Sequence, residues 1–128
     1  MKLLFDTNTI IDFLKQKNPA YDLFSLLQDH DCCTSFIVKL ELLKFPDITT
    51  VEEHSINELL QFFSIIPYSE DIENETIRLS RATRLRLPDA IIGATAIVNN
   101  AEVVTGDPHF LQCRDEKLRT YLLPKKET

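Results

Sequence analysis

A chain of 128 residues has room for one compact domain and is too short for two ordinary ones, so any site must be assembled within a single core. With 44% hydrophobic and 27% charged residues it is neither disordered nor fibrous, and charged or polar residues interrupt every apolar run before the roughly 20 residues a bilayer demands. The net charge of −6 argues against a broad phosphate-binding face, unless acids are concentrated where cations offset them.

Lys2 to Phe5 is a short apolar run that meets Asp6-Thr7-Asn8, and Ile10, Ile11, Phe13 and Leu14 then follow at helical spacing. Asp6 thus ends a strand that feeds a helix. Asn18-Pro19 opens a second helix through Gln28, with Asn as cap and Pro in the first turn. Cys32 to Thr34 reads as a brief strand, and Ser35 caps a helix from Phe36 to Phe45 that Pro46 stops. The polar stretch Pro46 to His54 carries no assignment. Ser55-Ile56-Asn57-Glu58 has capping-box spacing and predicts a helix from there to about Phe62, followed by a strand from Ser64 to Pro67.

Ser69, Glu70 and Asp71 begin the next helix, which bears Arg84 and Arg86 in its last turn and ends near Leu87-Pro88. Another helix starts at Asp89 and covers Ala90 to Asn99. The β-branched run Glu102 to Thr105 suits a buried strand, Gly106-Asp107-Pro108 breaks it, and Tyr121 to Leu123 offers a last strand. Strands alternating with helices over short connections predict an α/β fold with a mainly parallel sheet and helices on both faces. The expected organisation is one domain over residues 1–124 and a polar tail over 125–128.

No basic and apolar leader marks the start, so the expected location is cytoplasmic, with no membrane association. Cys32, Cys33 and Cys113 are expected to be free thiols, the adjacent pair pointing to opposite faces of a strand.

Ligands collect beyond the C-terminal ends of strands in open α/β sheets, and Asp6 and Asp107 both occupy such ends. Asp89 sits in a first helical turn, where the macrodipole favours a carboxylate. Glu41 shares a helix face with Val38 and Phe45, a face that heads inward; it is either a ligand or a surface residue paired with Lys39 or Lys44. Asp6 alone reads equally as a cap. The weight lies in the set of four acids, widely separated in sequence and each flanked by apolar residues.

These segments resemble the motifs of PIN domains, especially the toxins of bacterial VapBC toxin–antitoxin pairs. Phe5-Asp6-Thr7-Asn8-Thr9-Ile10-Ile11 is similar to the family's opening motif, and Ser35-Phe36-Ile37-Val38-Lys39-Leu40-Glu41-Leu42 to its second. Leu87-Pro88-Asp89-Ala90-Ile91-Ile92-Gly93-Ala94-Thr95-Ala96 is similar to the third, and Val103-Val104-Thr105-Gly106-Asp107-Pro108-His109-Phe110 to the fourth. The resemblance spans nearly the whole chain, with the motifs in family order. It implies a three-layer α/β/α fold, a magnesium or manganese site at Asp6, Glu41, Asp89 and Asp107, and metal-dependent cleavage of RNA. A homodimer working with a small antitoxin partner is implied in the same way. Glycine is scarcer than in the commonest toxin pattern, with only Gly93 and Gly106.

Oxygen-only ligands select hard cations, which points to Mg2+ or Mn2+ rather than zinc. Four such acids would carry −4 of the −6 and leave −2 for the rest of the chain. Asn8 and Thr105 are candidates to hold a ligand carboxylate or water in place, with helix capping as the other reading of Asn8. Arg78, Arg81, Arg84 and Arg86 form the dense basic segment. Arg81, Arg84 and Arg86 are candidate RNA-binding residues, or else the cluster is solvated and paired with Asp71, Glu73 or Glu75. His109 reads as a solvent-facing or packed imidazole, and the Gly93-Ala94-x-Ala96 stretch as a close-packing helix face. Two alternatives stand beside the nuclease: a non-catalytic PIN-type dimer that binds partners, and a haloacid dehalogenase-like phosphatase with Asp6 as nucleophile.

Overall fold

The computed structural model describes residues 1–15 and 23–123. Its elements run β1 (Lys2–Phe5), α1 (Thr7–Lys15), α2 (Leu23–Asp29), β2 (Asp31–Ser35), α3 (Phe36–Leu43), α4 (Thr50–Leu60), β3 (Ser64–Ile66), α5 (Glu70–Ala82), α6 (Leu87–Val98), β4 (Glu102–Val104), α7 (Pro108–Leu111) and β5 (Thr120–Tyr121). The start expected for the second helix and the tail over 125–128 lie outside the described residues.

Five strands form one sheet in the order β3-β2-β1-β4-β5, and every pairing is parallel. From β1 the chain steps outward to β2 and β3, then returns through α5 and α6 to β4 on the other side of β1. Parallel crossovers of one hand, run first outward and then back, put the helices before β3 and those after it on opposite faces, giving the α/β/α layers expected from the sequence. Accordingly α1, α3 and α4 pack on one another, and α5 packs along α6. The reversal of direction lies between β1 and β4, where Phe5 is in register with Val104.

The central strands are buried on both faces, which is why they read as continuous apolar runs: Leu3, Leu4, Phe5, Cys33, Val103 and Val104 are fully buried. Phe5 also packs edge-on against Phe63, with ring centroids 5.0 Å apart. A Cβ on Gly93 would stand 2.8 Å from Leu79 Cδ2, so the glycine sets the close approach of α6 to α5. No helix among the described residues is long and apolar enough to cross a membrane.

Several boundaries differ from the sequence reading. Helix α4 begins at Thr50, not Ser55; Thr49 is the cap, and its capping box with Glu52 organises part of the stretch that carried no assignment. Ser55 lies inside the helix and is exposed. Helix α5 ends at Ala82, where the Thr83 Oγ1 donates to Leu79 O at 2.8 Å, so Arg84 and Arg86 occupy a connection rather than a last turn. Helix α6 begins at Leu87 and takes Pro88 into its first turn, the position a proline tolerates. The last strand is Thr120–Tyr121 rather than Tyr121 to Leu123, and α7 was not foreseen. Cys32 and Cys33 are buried free thiols, each pushed up to about 11 chiefly by burial.

Candidate active site

The strand ends at the β1/β4 reversal place Asp6 and Asp107 side by side in the chain's topology, and the starts of other elements complete the rim. Asp6 follows β1 directly and is only 3% exposed. Its Oδ1 accepts from the Thr9 N–H at 2.9 Å, so Asp6 does cap α1, as one reading of the sequence held. Its Oδ2 accepts from the Thr105 hydroxyl, at the end of β4. Both oxygens are thereby fixed in orientation. The Thr9 hydroxyl donates to Val104 O at 3.1 Å, which ties the start of α1 to the neighbouring strand.

Glu41 reaches the rim from the second half of α3, half-buried, and its Oε1 accepts from the Thr7 hydroxyl at 2.7 Å. Among the described residues neither Lys39 nor Lys44 pairs with it. Lys44 instead lies over the Phe45 ring, 5.6 Å from its centroid, and Phe45 is 55% exposed, so the inward face ends before that residue. Asp89 stands in the first turn of α6, and Arg86 Nε approaches its Oδ2 to 3.8 Å. Asp107 caps α7: its Oδ1 accepts the His109 N–H at 2.9 Å and lies 2.9 Å from His109 Nδ1.

Asp6, Glu41, Asp89 and Asp107 line one small concavity of about 90 Å³ together with Thr7, Asn8, Arg86 and Ile92. The structure thus gathers all four sequence-predicted acids. Burial and the neighbouring charges shift three of these carboxyls in different directions. Burial above all, and secondarily the charge of Asp107, raise the Asp6 carboxyl above the usual range against the hydrogen bonds from Thr105 and Thr9. Asp89 is raised by burial first and then by Asp107, opposed by Arg86, with Glu41 and Asp6 adding to the rise. Burial also acts on Asp107, but the N–H, ring and charge of His109, with Arg86, hold it below the usual range.

Of the candidate supporting residues, Thr105 bonds Asp6 and also accepts from the Asp107 N–H at 2.9 Å, which couples two of the acids. Asn8 is exposed on the rim and, among the described residues, bonds none of the four. Its capping alternative also falls, because Asp6 holds that place. Thr7 and Thr9 do the orienting that the sequence reading gave to Asn8. Their signal was the alternation Thr7-Asn8-Thr9, in which the first turn of a helix presents hydroxyls beside an acid cap.

The basic segment divides. Arg78 is committed to structure, with Nε on Glu75 at 2.6 Å and a forked pair on Asp115 at 3.0 and 3.1 Å. Arg86 borders the acids, Arg84 lines an adjoining concavity, and Arg81 is exposed on α5 and lines neither.

Among the described residues no group of three or more His, Cys, Asp or Glu side chains is gathered tightly enough to enclose an ion by itself. A cation held at these acids would therefore have to complete its shell with water. Mg2+ dehydrates reluctantly and binds through one or two carboxylates plus water, the remaining acids acting on the hydration shell. A site of oxygens alone, negative and open on one side, fits Mg2+ or Mn2+ in this form and does not suit zinc.

A PIN-domain family model matches residues 3–115. No curated protein matches the chain. Among solved structures, a chain in the VapBC2 complex from Rickettsia felis, bound to a DNA fragment from its promoter, aligns with a TM-score of 0.82 at 20% identity, covering 95% of this chain and 98% of that one. VapBC-1 from nontypeable Haemophilus influenzae gives 0.79 at 22% identity, covering 94% and 97%. A toxin–antitoxin complex from Klebsiella pneumoniae gives 0.70 at 29% identity, covering 94% and 99%.

Proposed function

The chain belongs to the PIN-domain family, and from that premise we propose that it is a divalent-metal-dependent endoribonuclease, the toxin of a toxin–antitoxin pair. The observation that carries this reading is the set of four acids from four separate elements lining one concavity at the sheet's reversal point. Such a concentration of like charge is costly without a cation, and family membership supplies the reaction class.

In this reading Asp6, Glu41, Asp89 and Asp107 hold Mg2+ or Mn2+, directly or through water. The chemistry such an ion would supply, when bound, is a lowered pKa for a water and offset charge on phosphodiester oxygens. The protein's own contribution is orientation. Thr9 and Thr105 fix the two oxygens of Asp6, Thr7 fixes Glu41, and the His109 N–H fixes Asp107, so the acids need little reorganisation on binding. Arg86 is 82% exposed beside Asp89 and is free to turn from that acid to a substrate phosphate. Hydrolysis joins a water oxygen to phosphorus and releases a ribose oxygen, and no group of the chain becomes covalently attached.

The family assignment displaces the phosphatase alternative. The non-catalytic binding module is separated by experiment: incubation with a panel of RNAs, with and without Mn2+, beside the Asp6→Asn protein. The nuclease reading expects metal-stimulated cleavage that the variant lacks; equal cleavage by the variant, or none of any RNA by the wild type, overturns it.

The partner reading has its own support. Phe36, Tyr68, Ile72, Ile77, Leu87 and Ile91 line a shallow apolar groove across α3, α5 and α6, and Tyr68 and Leu87 are 57% and 64% exposed. An exposed apolar concavity marks an interface, and we assign it to a homodimer, with a small antitoxin covering the acidic rim. The Rickettsia, Haemophilus and Klebsiella structures are toxin–antitoxin complexes, which supports a partner of that kind.

A further inference from the structure

Beside the acid concavity the surface continues into a second hollow of about 640 Å³ and then a third of about 330 Å³. Asn8, Arg86 and Asp107 border both the acid concavity and the second hollow, and His109 borders both the second and the third. The third is walled by Arg84, His109, Gln112 and Arg114 over an apolar floor that includes Leu85 and Cys113. It is formed by the connection after α5 and the end of α7, two segments whose sequence gave no joint signal.

Arg84 and Arg114 are exposed, and neither forms an ion pair among the described residues. In a chain with 20 acids that pairing failure has a structural cause. The acid next to Arg114 is Asp115, and both its oxygens are held by Arg78, while Glu75 is held by the same guanidinium. Arg78 therefore holds the acid next to Arg114, and Arg84 and Arg114 line one groove.

We propose that this groove seats a nucleotide of single-stranded RNA flanking the cut phosphodiester. Arg84 and Arg114 neutralise backbone phosphates there, the His109 ring and apolar floor receive a base, and Gln112 reads its edge. The proposal rests on the nuclease reading for the identity of the polymer. An acidic peptide would use the guanidinium groups but would leave the stacking surface and the amide without a role, which favours RNA as the occupant.

The test measures binding apart from cleavage. Anisotropy of a labelled ten-nucleotide single-stranded RNA is followed in EDTA from 50 to 200 mM salt, with the wild type, Arg84→Gln/Arg114→Gln, and Arg119→Gln as control. Arg119 bonds Asn100 beside Lys2 and Glu102, away from the groove. Two lost phosphate contacts should flatten the slope of log Kd against log salt by about 1.4, at about 0.7 per contact for single strands. The control should keep the wild-type slope, and all three proteins should melt alike. Mapping cut sites in a randomised RNA with Gln112→Ala should show relaxed base preference at one position near the cut. An unchanged slope in the double variant overturns the groove even if the wild type cleaves RNA. Loss of affinity for a polyglutamate peptide with RNA binding intact overturns its assignment to nucleic acid. Absence of cleavage by the wild type, with the slope changed as expected, overturns the nuclease reading and leaves the groove standing.

Discussion

At the scale of single residues, the acids differ in what each loses by substitution. Burial and the charge of Asp107 raise the Asp89 pKa, so the native protein without metal binds that proton more tightly than the unfolded chain does. Stability then falls as pH rises from the unfolded value of about 3.9 through the raised native value, and the loss is complete above it. Asp89→Asn removes this cost. The metal-free variant should melt above the metal-free wild type at pH 7, with the gap closing as pH falls towards 4. Millimolar Mg2+ or Mn2+ should raise the wild-type Tm and reverse the order. Scanning fluorimetry with and without EDTA checks both, and a metal-free variant that melts lower at pH 7 would contradict the crowding of charge. Activity should fall at least about 100-fold in Asp89→Asn and Asp107→Asn, since loss of an outer partner already costs about 10–100-fold. Thr105→Val belongs to that milder range, because it frees one oxygen of Asp6 without removing charge. Such graded losses test roles that were unequally legible in the sequence. The acids could be read from strand ends and a helix start, but the targets of two hydroxyls were defined only by long-range packing, of α1 on α3 for Thr7 and of β1 beside β4 for Thr9.

Among the elements, the helices betray where local signals compete. Both Thr49-x-x-Glu52 and Ser55-x-x-Glu58 satisfy the capping pattern, and the chain uses the first. What marks the first is its pair of reciprocal bonds, Thr49 Oγ1 accepting from the Glu52 N–H at 3.1 Å and Glu52 Oε1 from the Thr49 N–H at 3.0 Å. Thr49→Ala should therefore cost about 1 kcal/mol in denaturant unfolding, while Ser55→Ala, inside an exposed helical turn, should be neutral or slightly stabilising. The reverse result would restore the later start. The glycines offer a second contrast. Gly93→Ala gains about 0.8–1 kcal/mol of helix propensity but forces its Cβ against the fully buried Leu79, an overpacking of about 1–3 kcal/mol. Net destabilisation of up to about 2 kcal/mol is expected, against no steric cost at Gly106, which has nothing within 4 Å of an added Cβ. Equal melting of the two variants would show that α5 and α6 adjust more freely than their packing implies. The Gly-Ala-x-Ala face was legible because small residues have few other uses in a helix. The break between α5 and α6 was not, since Arg84 and Arg86 satisfy the macrodipole rule in a helix that in fact has already ended.

For the whole molecule, the net charge of −6 has to be placed before its effect on a partner can be judged. Four of the 20 acids gather at the rim, and Arg84 and Arg114, which form no ion pair among the described residues, line a hollow further along the surface, so the field a polyanion meets is not the average of the surface. Two sets of exposed apolar side chains are candidates for the dimer interface. Phe45 and Phe62 are 55% and 58% exposed, but Phe45 is already partly covered by the Lys44 ammonium. The groove of Phe36, Tyr68, Ile72, Ile77, Leu87 and Ile91 is concave and almost wholly apolar, and it crosses three helices. A surface of that kind, presented identically by two copies, can bury itself across a two-fold axis. Ile77 is 45% exposed, so Ile77→Asp should cost the monomer little, whereas in a dimer it would bury an unpaired charge. Sedimentation velocity at micromolar concentrations should therefore find the wild type and Phe62→Ser dimeric and Ile77→Asp monomeric, with the metal-dependent rise in Tm retained in all three. A wild type that sediments as a monomer would remove the dimer; dissociation by Phe62→Ser with Ile77→Asp still paired would move the interface to the other patch.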